Sequence, residues 1–197
     1  MGPVRAVIPG NQLGNIDRKS SWLDRPRTGN PLLDFEKGGV GLNDASQGLR
    51  VQTWTLEYNE QTGTAVLTSE LGQSHNLFTR EGITQIALAF DQLMAPFVAF
   101  QDSNGVAYWW FNPATSQMEF SSYLATAQYP RATLDDTRAL AGGWSDIILS
   151  YMRGNDLYYR QQRDNYAVER LLQSDAGSAL MDMRMGTNLS LQWRLRP

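Results

Sequence analysis

Short segments of alternating apolar and polar residues follow one another from about residue 49 to the end of the chain. Residues 49–58 place Trp54, Leu56 and Tyr58 on one face and mostly polar side chains on the other. This period of two is typical of a half-buried strand. A polar turn follows, and residues 64–70 return with the same texture, so the pattern predicts an antiparallel hairpin with the Trp54 face buried.

The same texture continues to the C-terminus, although residues 81–91 also contain good helix formers. Pro96 and a β-rich run follow them, which favours a strand. Further strands are predicted at residues 106–111, 118–123, 146–151, 157–162 and 166–172. A Gly-Thr-Asn turn at residues 186–188 lies within the last predicted hairpin. The sequence therefore predicts an all-β fold.

Two of these hairpins resemble each other as sequences. The run FVAFQDSNGVAYWW begins at Phe97, and IILSYMRGNDLYYRQQRD begins at Ile147. Placing Tyr108 on Tyr158 gives an offset of 158 − 108 = 50 residues, and both copies then read as apolar strand, Gly/Asn turn and aromatic strand. Repeated antiparallel hairpins predict propeller-like blades or a β-sandwich. Because closed propellers need about four blades, an open array and a ring completed by other copies are further alternatives.

The first 41 residues differ from the rest because Gly and Pro interrupt them and no period is sustained. We interpret residues 1–41 as an extended N-terminal arm and residues 42–197 as one all-β domain of repeated hairpins. Apolar residues in the arm are too scattered for a core of their own, and they would anchor it to a neighbouring surface: Trp22, Leu23, Leu32, Leu33 and Phe35.

The amino-acid composition limits the kinds of partner, metal site and catalysis that the chain can support. The 197 residues are 42% hydrophobic, as expected of a globular protein, and the net charge of −3 argues against nucleic acid as a partner. The chain has no cysteine and one histidine, which disfavours thiol catalysis, disulfides and His- or Cys-ligated metals. No apolar run predicts a signal peptide or membrane insertion. We expect no cofactor.

Three carboxylates are the candidates for catalysis. Asp91, Asp135 and Asp136 occupy similar places near two repeats, and a glycosidase needs two carboxylates about 5–10 Å apart. The sequence does not give that distance. Because the residue recurs with the repeat, we favour a structural role in accepting backbone hydrogen bonds at strand ends, and we predict no catalytic or metal-binding residue.

Aromatic and arginine side chains give a candidate interaction surface, because these residue types dominate interface energies. Alternation requires about half of the clustered residues to be core. The candidates are Trp22, Phe35, Tyr108, Trp109, Trp110, Tyr158, Tyr159 and Arg160. The charged run from Arg160 to Arg170 is interpreted as a solvated strand face, and His75 as a surface residue.

Several phrases resemble a family of structural proteins from tailed bacteriophages, described as tail-tip, baseplate or tail-fibre-associated proteins. The resemblance begins at about Gly38, and its phrases are GGVGLNDASQGLRVQTW, LAFDQLMAPFVAF, PRATLDDTR, SDIILSYMRGNDLYYRQQRDNYAVERLL and MGTNLSLQWRLRP. It implies an all-β component of the virion tail, made in the host cytoplasm. It also implies contact with other tail proteins and a symmetric homo-oligomer, with a trimer as the first expectation. The family supplies no catalytic residues.

The sequence thus predicts a non-enzymatic virion structural protein of a phage tail. The first alternative is a module that binds host surface glycans through exposed aromatic residues. The second is a glycan-cleaving tail enzyme that uses Asp91 with Asp135 or Asp136.

Overall fold

The computed structural model describes residues 37–42, 51–69, 72–90, 95–134, 146–185 and 191–196. Within these ranges the chain forms antiparallel strands and one short 3₁₀ helix, Gln162–Asp164. The prediction of an all-β fold built from antiparallel hairpins is confirmed.

The strands make four sheets in chain order, and within each sheet every strand pairs with the next one. Sheet 1 contains β1 (Lys37–Leu42), β2 (Val51–Asn59), β3 (Thr64–Ser69) and β4 (Ser74–Thr79). Sheet 2 contains β5 (Gln85–Phe90), β6 (Pro96–Asp102), β7 (Gly105–Asn112) and β8 (Gln117–Phe120). Sheet 3 contains β9 (Ala127–Leu134), β10 (Ile147–Arg153), β11 (Asp156–Gln161) and β12 (Arg170–Gln173). Sheet 4 contains β13 (Ala179–Met185) and β14 (Leu191–Arg196).

The sheets stack face to face like the blades of a propeller. Their first strands lie side by side, β1 against β5, β5 against β9, and β9 against β13. Each four-stranded sheet extends outward from this line of inner strands. The arrangement therefore has propeller-like blades rather than the two sheets of a sandwich.

Sheet 2 lies between sheets 1 and 3, and both of its faces are buried. Leu88 and Val98 pack toward Leu56 of sheet 1, whereas Phe97 and Val106 belong to the cluster shared with sheet 3. Covering both faces explains why β5 is buried throughout and reads as a continuous apolar run, IALAF, after its first residue, Gln85. The preference for a strand over a helix in this segment is confirmed.

The hairpin turns correct the predicted repeat offset. Asp102 pairs with Gly105 across one turn, and Arg153 pairs with Asp156 across the next. The offset is therefore 153 − 102 = 51, and Tyr108 corresponds to Tyr159. The prediction of 50 was wrong because it matched aromatic letters, and a slip of one residue moves every side chain to the opposite face.

The three four-stranded sheets share one backbone hydrogen bond, which ties the end of the fourth strand to the central hairpin. The connection that leaves the fourth strand donates a backbone hydrogen bond to the turn between the second and third strands or to the start of the third strand. The bonds run from Arg80 to Gly63 (2.7 Å), from Leu124 to Val106 (2.7 Å) and from Ala176 to Asn155 (2.6 Å). Gly105 is required here, because it has φ +117° and an added Cβ would lie 2.5 Å from the Leu124 carbonyl oxygen.

One boundary and one strand of sheet 1 differ from the prediction. β1 pairs with β2 along its whole length, so the predicted boundary at residue 41 falls inside a strand. β4 was not predicted, because this edge strand is largely exposed and lacks alternation. His75 on β4 is exposed, as expected, with its ring 5.7 Å from that of Trp54. Residues 1–36 lie outside the described residues.

Candidate functional site

The predicted interaction residues do not form one surface. Tyr108 and Trp110 are 7% and 8% exposed and belong to the core between sheets 2 and 3. Trp109 points to the other face of β7 and packs against the core shared with sheet 1. The prediction that about half of the cluster would be core was too low, because all three side chains pack into a core on one face of β7 or the other, and Tyr108 and Trp110 are too buried to act as contact residues.

The second predicted group is divided between two faces of sheet 3. Tyr158 stacks on Tyr151, with ring centroids 6.4 Å apart, on the face toward sheet 2. Tyr159 lies on the opposite face, where the Arg170 guanidinium is 5.8 Å from its ring. Arg160 belongs to an internal charged cluster described below. Trp22, Phe35, Asp91, Asp135 and Asp136 lie outside the described residues.

The first of two charged clusters spans the junction of sheets 1 and 2, and we call it the Arg80 cluster: Arg80, Asp102 and Tyr123. Arg80 follows β4, Asp102 ends β6, and Tyr123 lies in the connection after β8. The Arg80 Nη2 donates to the Tyr123 hydroxyl at 2.5 Å, and its Nε lies 3.4 Å from Asp102 Oδ2. The Tyr123 hydroxyl in turn donates to the same carboxylate.

Aromatic rings surround the Arg80 guanidinium. Its Cζ lies 5.1 Å from the ring centroid of Phe100, 5.5 Å from that of Phe120 and 5.0 Å from that of Tyr123. Cations are attracted to ring faces at such distances. Burial raises the pKa of the Tyr123 phenol, and its hydrogen bond to Asp102 raises the pKa further. The phenol therefore keeps its proton for this hydrogen bond.

The Arg80 backbone is fixed by sheet 1, independently of its side chain. Its N–H donates to Gly63, and its carbonyl oxygen accepts from the Tyr58 hydroxyl at 2.8 Å. Asp102 is also held on both sides, since its Oδ1 accepts the Asn104 N–H at 2.7 Å within the hairpin turn. The cluster therefore joins a fixed point on sheet 1 to a fixed point on sheet 2.

The second charged cluster lies within sheet 3, on its face toward sheet 2, and we call it the Glu169 cluster: Tyr151, Arg153, Arg160 and Glu169. Arg153 Nη1 donates to Glu169 Oε1 at 2.6 Å, and Arg160 Nη2 donates to Oε2 at 3.3 Å. The buried Tyr151 hydroxyl donates to Oε2 as well and accepts from Arg160 Nε at 2.9 Å.

The protonation states of this cluster are fixed around neutral pH. Burial alone would raise the pKa of Glu169, but the Tyr151 hydrogen bond and the two arginines hold the pKa below its ordinary value. The pKa of Tyr151 is raised well above its ordinary value by burial and then by the hydrogen bond to Glu169. Because general acid–base catalysis favours a pKa near the working pH, neither group is suited to exchange a proton there.

Arg160 also connects the Glu169 cluster to an aromatic cluster. Its Nη1 donates to the Tyr166 carbonyl oxygen at 2.7 Å, which supports a turn with Tyr166 at φ 58°. This turn directs the Tyr166 ring toward sheet 2. Its centroid is 4.9 Å from that of Tyr108, 5.1 Å from Phe97 and 5.4 Å from Trp110. Sheets 2 and 3 are therefore joined by aromatic packing.

Sequence reasoning missed the Arg80 cluster and assigned Glu169 to a solvated face. The Asp-Ser-Asn-Gly run at Asp102 is a turn signal that identifies the Asn104 contact. Arg80 and Tyr123, however, are 43 residues apart, and no local pattern predicts their meeting.

In the described ranges, no group of three or more His, Cys, Asp or Glu residues is placed so that it could hold a metal ion. In the same ranges, no helix has the length and apolar character needed to cross a membrane.

Comparison with known proteins adds one distant likeness. No protein-family model and no curated protein matches the chain. A solved structure of a streptogramin B lyase is similar over 86% of this chain, with 11% identity and a TM-score of 0.44. The chain corresponds to 50% of the length of that protein. A likeness at this level gives no information about activity, so the fold is assigned from the strand pairing itself.

Proposed function

We propose that this chain is a non-enzymatic structural protein of a bacteriophage tail, in the tail tip, the baseplate or a fibre attachment. The observation that carries the proposal is that the charged and phenolic side chains of the two clusters are bound to one another. In both charged clusters, the carboxylate is bound by arginine and tyrosine that hold strands or sheets together. A scaffold needs such fixed groups, whereas a catalytic site needs groups open to substrate.

The buried aromatic residues support the same proposal. Tyr108 and Trp110 stabilise the stack of sheets, and among the described residues the large apolar side chains that are well exposed are Phe120, Val168 and Leu171. A sugar-binding platform normally uses exposed aromatic rings. The glycan-binding alternative is therefore less favoured.

Assignment to a phage tail comes from the sequence resemblance, which covers the chain from about Gly38 onward. As a tail component, the chain would contact other tail proteins and assemble in several symmetric copies, with a trimer as the working expectation.

Localisation tests the proposal. Virions of a phage that encodes this chain are purified, and the chain is labelled with specific antibodies coupled to gold. We expect labelling at one end of the tail and peptides of the chain in the purified particles. Absence from virions, or labelling only of the capsid interior, would contradict the proposal.

The non-enzymatic part needs its own assay. Purified protein is incubated with host surface polysaccharide, and new reducing ends are measured against a heat-denatured sample. We expect no increase. A time-dependent increase would support the glycan-cleaving alternative instead.

A further inference from the structure

The surroundings of Arg80 have the composition of a receptor for a guanidinium cation. Three ring faces approach its Cζ, from Phe100, Phe120 and Tyr123. One carboxylate, that of Asp102, is 6% exposed and ion-paired with the Arg80 Nε. Aromatic faces and a desolvated carboxylate are the groups that recognise organic cations.

We propose that Phe100, Phe120, Tyr123 and Asp102 form a guanidinium-binding site in which Arg80 is the resident ligand. The site accepts a free alkylguanidinium when the Arg80 side chain is removed. The ligand class is thus a planar organic cation with a short alkyl chain.

The site keeps its shape without the Arg80 side chain. The Asp102 Oδ1 is held by the Asn104 N–H at 2.7 Å. The Phe120 ring packs edge-on against Phe78, with centroids 5.3 Å apart. The backbone of residue 80 is held by Gly63 and by the Tyr58 hydroxyl. None of these contacts uses the guanidinium, so Asp102, Phe120 and the backbone of residue 80 remain in position, and Tyr123 keeps its hydrogen bond to Asp102.

The geometry selects guanidinium over ammonium. Arg80 uses Nε for Asp102 and Nη2 for Tyr123, so the contacts come from two nitrogens of one plane. That plane lies among three rings. An ammonium ion is a compact, strongly hydrated point charge and does not present this arrangement.

The site is reached from solvent without unfolding. The Arg80 side chain is 32% exposed, and Phe120 on the outer strand β8 is 46% exposed. One wall of the site is therefore at the surface, and a small cation enters past Phe120.

Chemical rescue tests the proposal. Arg80→Ala retains Cβ, so ethylguanidinium supplies the atoms that the substitution removes. The urea midpoint of the variant is measured from zero to about 20 mM ethylguanidinium, a range that covers weak small-molecule sites. We expect a saturable rise that recovers about half of the lost midpoint or more. Ethylammonium and sodium chloride at equal ionic strength should recover much less.

Two further variants locate the effect. Arg163→Ala removes an arginine whose side chain is 55% exposed and pairs with Asp146, and ethylguanidinium should not rescue it selectively. Adding Phe120→Ser to Arg80→Ala should weaken the apparent affinity for ethylguanidinium by about threefold or more, because one ring is lost.

The outcomes decide the proposal. An equal response to ethylguanidinium and ethylammonium would overturn it, as would equal rescue of Arg163→Ala or no effect of Phe120→Ser. If Arg80→Ala is unfolded in buffer, the same titration is followed by circular dichroism. Recovery of the β signal with ethylguanidinium supports the site, and failure to recover overturns it.

Discussion

Aromatic rings pack across both junctions on either side of sheet 2, but the two charged clusters are placed differently. Between sheets 1 and 2, the Arg80 cluster crosses the junction, with Arg80 from one sheet and Asp102 and Tyr123 from the other. Between sheets 2 and 3, aromatic rings cross the junction, while the Glu169 cluster stays within sheet 3. The two clusters contain similar sets of arginine, carboxylate and tyrosine but have different structural roles. The Arg80 cluster connects two sheets, and the Glu169 cluster connects strands within one sheet.

The equivalent positions at the ends of β6 and β10 make this difference explicit. Asp102 in sheet 2 corresponds to Arg153 in sheet 3, since both precede the hairpin turn and pair across it. In sheet 2 the acid receives an arginine from the neighbouring sheet. In sheet 3 the arginine receives Glu169, the residue just before β12 of the same sheet. The fold fixes the position, and the residue placed there decides which parts are joined.

The largest effect is expected at the junction between sheets 2 and 3. Phe97→Ala removes a fully buried ring that contacts both Tyr108 and Tyr166. We expect a loss of about 3–5 kcal/mol in the free energy of unfolding, because the cavity adds to the lost burial. Urea denaturation followed by tryptophan fluorescence measures it. A loss below about 1 kcal/mol would mean that aromatic packing does not hold this junction.

Asp102→Ala should have a smaller effect at the other junction. It removes the acceptor for Arg80 and Tyr123 and also the Asn104 contact in the turn. We expect a loss of about 2 kcal/mol, lower than for a fully buried pair because Arg80 is partly exposed. Asp102→Asn is the matched control, since its side-chain oxygen can retain the turn contact, and it should lose less in the same denaturation assay. No loss for Asp102→Asn would assign the effect to the turn alone, whereas equal losses would assign it to the contacts with Arg80 and Tyr123.

Glu169→Gln should cost about 1 kcal/mol at neutral pH after allowing for solvent screening. The pH dependence gives a sharper test. Because the folded pKa of Glu169 is lowered, its stabilisation is present above the unfolded pKa and is lost as pH falls through the folded pKa. The difference between wild type and Glu169→Gln should therefore shrink in acid, as measured by urea midpoints from neutral pH downward. A difference that grows in acid would contradict the assigned charge state.

The smallest effect is expected outside both junctions. Leu171 on the outer strand β12 is 54% exposed, so Leu171→Ser should change the free energy of unfolding by less than about 0.5 kcal/mol. The same denaturation assay is used. A loss above about 1 kcal/mol would show that this side chain packs more tightly than its exposure implies.

The sequence predicted what is local and missed what depends on stacking. Alternation at Trp54, Leu56 and Tyr58 was enough to place β2 and its buried face, because a strand with one solvent-exposed face alternates between apolar and polar residues. In β7 both faces are covered, so the aromatic run gave no sign that Tyr108 and Trp110 face sheet 3. The exposed edge strand β4 lacked a pattern for the opposite reason.

The charged clusters could not be predicted from local sequence patterns, because their members come from different sheets, strands or turns. Arg80 meets Tyr123 only because two sheets stack, and the Arg160 guanidinium contacts a turn in which Tyr166 adopts a positive φ. Charged residues on a strand read as solvated from sequence alone. Their burial depends on neighbours that come from other sheets or from turns.

Hydrogen exchange of Arg80→Ala tests most directly the claim that one charged cluster joins two sheets while the other braces one. Compared with wild type, we expect faster amide exchange in peptides from β2, β3 and β6, with β10 and β11 unchanged, and the reverse distribution for Glu169→Gln. The same pattern of faster exchange in both variants would contradict the account.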